Sequence, residues 1–74
     1  MMHARFYNTR GGEFVQALGS DSYCPIDGRL SVPSAIMVAA RQVRRLKAVQ
    51  SYTALQVFRN DRPVTGVIPV VAGS

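Results

Sequence analysis

Apolar residues recur at three- and four-residue spacing in one stretch of the chain, Ser31 to Gln50, and elsewhere in short runs. Within that stretch Val32, Ala35, Ile36, Ala39, Val43 and Leu46 fall on one narrow stripe at about 100° per residue. The pattern predicts one amphipathic helix, with its alanines permitting close approach to a sheet. Ser31 suits the N-cap, because its hydroxyl can accept from a first-turn amide. Pro33 falls in the first turn, where a missing N–H costs little. Leu30, before the cap, is placed to staple against Ala35 or Ile36.

Before the helix, Met2 to Tyr7 reads as a strand with Ala4 and Phe6 on one side and His3, Arg5 and Tyr7 on the other. The run Asn8-Thr9-Arg10-Gly11-Gly12 signals a turn, since glycine reaches positive φ without a steric penalty. Glu13 to Leu18 then completes a hairpin, with Phe14, Val15, Ala17 and Leu18 expected to be buried. Tyr23-Cys24-Pro25-Ile26 is an edge strand or an extended loop, because proline cannot donate to a central ladder. After the helix, Tyr52 to Arg59 carries the Tyr, Thr, Val and Phe that suit a pleated surface. A turn at Asn60 to Pro63 leads to a return strand, Val64 to Ile68, with Gly66 marking a bulge. The expected fold is α+β, in the order β-β-(β)-α-β-β: a small antiparallel sheet with one helix packed across one face.

The chain has 74 residues, which bounds it to one domain with a small core. Residues 70–74 read as a flexible tail. A hydrophobic content of 47% is ordinary for a globular domain. The single cysteine, Cys24, excludes an intramolecular disulfide. No secretory apolar segment follows the start, and no apolar run nears the length of a membrane span. The expectation is a cytoplasmic protein that does not enter membranes.

Charge adds more. Nine Lys and Arg against four acids give a net charge of +5, and eight of the nine are Arg. Arg suits phosphate and carboxylate forks and tolerates interfaces better than Lys. On the helix side away from the apolar stripe, Arg41, Arg44, Arg45 and Lys47 share the surface with Met37 and Val38. This mixture can be read as a solvated basic face, with the last-turn cations favoured by the helix dipole. It can also be read as a contact surface, because Arg and Met are enriched at interface cores. Arg5, Arg10, Arg59 and Arg62 are candidates for secondary basic contacts.

The residues give little support to catalysis. His3 is the only histidine and reads as a strand residue. Cys24 reads as a small hydrophobe. Asp21, Asp27 and Asp61 sit in turn contexts, where Asp bonds local backbone. One Cys and one His cannot build a structural zinc site alone, and no phosphate-binding glycine loop is present. An enzyme, a metal or a cofactor is therefore not expected. Nucleic-acid binding is an open alternative, with Tyr7, Tyr23 and Tyr52 as candidate stacking platforms, although neither an aromatic-rich RNA-binding sheet signature nor a helix-turn-helix can be read.

The helix followed by a hairpin, AIMVAARQVRRLKAVQ and then YTALQVFRNDRPVTGVIPV, resembles the small anti-CRISPR proteins of phages and mobile elements. The likeness is architectural and covers about half the chain. It implies binding to a CRISPR–Cas effector complex in the host cytoplasm, and interference with DNA recognition or nuclease recruitment. Many such inhibitors are acidic and imitate DNA, whereas this chain is basic. It would instead engage an acidic protein patch or bound nucleic acid. The leading expectation is a non-catalytic module that binds a protein or nucleoprotein complex. The alternatives are an autonomous DNA- or RNA-binding module using the basic helix face, and a homodimer that buries Met37 and Val38.

Overall fold

The two inner strands of the sheet lie far apart in the chain. In the computed structural model, which describes residues 1–19, 21–46 and 52–70, β1 (Met2–Arg10) pairs antiparallel with β4 (Ala54–Arg59) from Met2↔Arg59 to Tyr7↔Ala54. The other edge of β1 is shared end to end. Its second half pairs with β2 (Glu13–Gln16) and its first half with β3 (Tyr23–Ile26). Between them Phe6 accepts from the Ala17 amide at 3.0 Å and donates to Ser22 at 2.9 Å, so β1 changes partner at one residue. The far edge of β4 is divided the same way, between β5 (Arg62–Pro63) and β6 (Ile68–Pro69). The α+β expectation of one helix on a small antiparallel sheet is met.

Alternation on β1 and β4 sets the two faces. Met2, Ala4 and Phe6 oppose Arg59, Val57 and Leu55, and the last two lie with them in the buried core under helix α1 (Val32–Leu46). From α1 come Ala35, Ala39 and Val43, all buried, with Ile36 and Leu46 partly so. The small alanines let the helix settle closely on the strands. Ser31 caps α1 as expected: its Oγ accepts from the Ser34 amide at 3.3 Å and its carbonyl from Ala35 at 2.9 Å. Leu30 packs on the same core as Ile36.

Several expectations need correction. Strand β1 runs on through Asn8, Thr9 and Arg10, and the turn is only Gly11-Gly12, at φ 61° and 83°. Positive φ at both residues is the type I′ arrangement that matches strand twist. Because β4 pairs with β1 no further than Tyr7, the hairpin beyond it projects as a two-stranded ribbon. Of the four residues expected to be buried there, only Ala17 is. Phe14 and Val15 are exposed, and Leu18 is 96% exposed.

The return strand from Val64 to Ile68 is also broken. Only Arg62–Pro63 and Ile68–Pro69 pair as strands. Between them the Thr65 hydroxyl accepts from the Val57 amide at 3.1 Å, while Gln56 Nε2 donates to the Thr65 carbonyl at 3.0 Å. Side chains thus replace the ladder across Gly66. The preceding turn holds Asn60 and Asp61 at φ 52° and 64°. Residues 23–26 do form a strand, on the edge of β1. Val70, placed in the tail by the sequence, donates to the Thr53 carbonyl at 2.9 Å and packs on the core. Residues 71–74, and residues 47–50 of the expected helix, lie outside the described residues.

Candidate functional site

The outer face of α1 collects most of the site residues that the sequence singles out. At about 100° per residue, Met37, Val38, Arg41, Arg44 and Arg45 span an arc of about 120°. All five are exposed, Met37 to 65%. Lys47, assigned to the same surface, lies outside the described residues. Ser31 to Gln50 contains no acidic residue. Among the described residues the ion pair that forms is elsewhere, Arg29 to Asp27 at 3.2 Å. Its hydrogen bonds hold the exposed Asp27 carboxyl below the usual carboxylate range.

The secondary basic residues are not brought to this face. Arg10 ends β1 on the projecting ribbon. Arg59 and Arg62 are directly opposed across β4 and β5, and Arg59 Nη2 donates to the Leu30 carbonyl at 3.5 Å, near the start of the helix. Arg5 stands on the opposite side of the sheet. Positive charge therefore surrounds the molecule.

The face of the sheet away from the helix holds an arrangement that the sequence reading missed. His3 of β1 stacks between Tyr23 of β3 and Phe58 of β4, with ring centroids 4.7 and 5.0 Å away and interplanar angles of 23° and 2°. These spacings match the separation of neighbouring strands, so the rings form a row across the sheet. Arg5, two residues along, sets its guanidinium carbon 5.1 Å from the Phe58 ring centroid and directs Nε at His3 Nε2, 3.4 Å away. His3 is left 3% exposed. Its pKa is lowered first by this burial and then by the nearby Arg5 cation, with the Asp61 carboxylate opposing. The available signal was register. Once β1, β3 and β4 are neighbours, His3, Tyr23 and Phe58 fall in one line.

Of the candidate stacking tyrosines, Tyr7 and Tyr23 lie on this open face. Tyr52 does not. It is buried beside Phe6 in the core, with its hydroxyl bonded to Asp21. Cys24 is half-buried against the core and burial pushes its thiol pKa up, away from the thiolate a nucleophile needs. Among the described residues no cavity forms, and no group of three His, Cys, Asp or Glu is placed to hold a metal ion. No described helix is long and apolar enough to cross a membrane. Comparison of the chain with known protein families, with curated proteins and with solved structures returns no match.

Proposed function

We propose that the chain is a non-catalytic binding module that docks on an acidic protein surface, within a protein or nucleoprotein complex, through the outer face of α1. The observation that carries this reading is the exposed Met37 and Val38 set among Arg41, Arg44 and Arg45, with no carboxylate on the helix. An apolar anchor ringed by arginines supplies what interface centres use: area to desolvate, and planar donors that fit carboxylates. The first partner to try is a CRISPR–Cas effector complex, to which the helix-and-hairpin resemblance points.

The test is affinity for such a complex by surface-immobilised binding. Met37→Asp and Val38→Asp place a charge at the anchor and abolish binding, while circular dichroism stays unchanged because both side chains are exposed. Alanine at Arg41, Arg44 or Arg45 weakens binding by slowing association. Affinity that survives both aspartates sinks the reading. Loss in the arginine variants alone, with steep salt dependence, favours nucleic acid on the helix instead. Light scattering over a dilution series separates a homodimer, which would use the same face without any partner.

A further inference from the structure

We propose that the open face of the sheet is a second binding site, which takes the bases of single-stranded nucleic acid. It is independent of the helix face, which lies on the other side of the molecule.

An antiparallel sheet covered on one side ordinarily turns polar residues to water on the other. Here the uncovered side carries Tyr23 and Pro25 on β3, His3, Arg5, Tyr7 and Thr9 on β1, Phe14 and Gln16 on β2, and Gln56 and Phe58 on β4. Tyr23 ends the ring row on the outermost strand and is 44% exposed. A base laid on its free side extends the row by one more ring. Phe14 offers another exposed ring on β2, on the same side as Tyr7 and Thr9.

Charge complementarity identifies the occupant. No carboxylate occupies a strand position on this face, where the charged residue is Arg5; the Asp61 carboxylate that acts on His3 sits in the turn between β4 and β5. Among the described residues the terminal nitrogens of Arg5 make no hydrogen bond, so they remain open to a phosphate. Aromatic rings beside a cation, on a chain of net charge +5, match a strand of unpaired bases. A duplex hides its base faces and offers this surface nothing to stack on. Stacking needs only the flat face that every base carries, so the contact is tolerant of sequence and of sugar.

The experiment is fluorescence anisotropy of labelled single-stranded DNA, single-stranded RNA and duplex DNA, each about 12 units long, within the span of small single-strand-binding folds. It is run at about 50 and about 200 mM salt, where phosphate contacts respond strongly. The full chain should bind both single strands, and bind duplex at least tenfold more weakly. Tyr23→Leu keeps an apolar strand residue but removes the ring, and should weaken binding about tenfold. Phe14→Ser, on the projecting ribbon away from the core, should weaken it severalfold, and Arg5→Gln should lower both affinity and salt dependence. Met37→Gln, which alters the helix face without changing the net charge, should leave oligonucleotide affinity unchanged, which separates this site from the helix face. Ultraviolet crosslinking of the unaltered chain should attach the oligonucleotide to the peptide containing Tyr23. The proposal is overturned if no saturable single-strand binding appears at the lower salt, if duplex competes equally, or if the loss follows the helix arginines. It is also overturned if Tyr23→Leu impairs a protein partner's binding while no oligonucleotide binds, which would assign the face to protein.

Discussion

Tyr52 donates its phenolic hydrogen to Asp21 Oδ1, joining the approach to β4 to the loop between β2 and β3. The ring is buried against Phe6. Burial, followed by the Asp21 bond and its negative charge, pushes the phenol pKa up from 10.0 to about 12.

A defined alkaline weakness follows. In the unfolded chain the phenol ionises near pH 10, while the folded chain holds the proton until about 12. Between these values the native state binds more protons, so its stability falls as pH rises. The contribution is fully present below pH 10. Urea midpoints should decline through this window, and Tyr52→Phe should flatten the decline while costing about 1–3 kcal/mol at neutral pH through the lost charge-assisted bond. Gly19→Ala should disturb the same bond, because a Cβ there would lie 2.9 Å from Asp21 Oδ1 and 3.0 Å from the Tyr52 hydroxyl.

His3 gives a second pH signature with the opposite sign. Its lowered pKa means that the unfolded chain takes up a proton first as pH falls below the ordinary 6.5. Stability is therefore complete above 6.5 and lost progressively on acidification. As the chain's only histidine, His3 can be followed by imidazole NMR without overlap. A titration midpoint at or above 6.5 would contradict the burial of this ring. His3→Phe should preserve the ring row and remove the acid sensitivity between about pH 7 and 5, the range in which an ordinary histidine titrates.

Two leucines separate core from surface. Leu55 is fully buried under α1, and Leu55→Ala should cost about 2–5 kcal/mol in chemical denaturation. Leu18 is almost wholly exposed, and Leu18→Ser should change stability by less than about 0.5 kcal/mol. Equal losses at the two sites would contradict the exposure of Leu18 on the connection after β2.

The Asn60-Asp61 turn uses L-residues where positive φ favours glycine. Asp61→Gly should stabilise the chain by about 0.5–1 kcal/mol, by relieving the left-handed backbone at Asp61. The readout is a higher thermal midpoint, with the His3 pKa falling further once the Asp61 charge is gone.

The elements with strong local chemistry were legible in the sequence. Ser31 and the apolar stripe defined the helix, Gly11-Gly12 the first hairpin, and the β1 alternation its two faces. The errors came where tertiary partners decide. Phe14 and Val15 look like core residues until β4 is seen to stop opposite Tyr7, and Leu18 does until β2 is seen to end at Gln16. Val64 to Ile68 look like one strand until Thr65 is found bonding in place of backbone. The outer helix face could be drawn from spacing alone. The ring row could not, because His3, Tyr23 and Phe58 become neighbours only when three distant segments acquire a register.

The pairing of β1 with β4 has a consequence for synthesis. Strand β1 leaves the ribosome well before its central partner β4, as the Met2↔Arg59 pairing records. The hairpin with β2 can close early, but the apolar side of β1 remains open until the helix and β4 have emerged. Closing so long a loop is slow compared with local pairing. Meanwhile Met2, Ala4 and Phe6 are exposed to any chaperone or neighbouring nascent chain, so the most vulnerable period in the making of this fold comes before β4 has emerged.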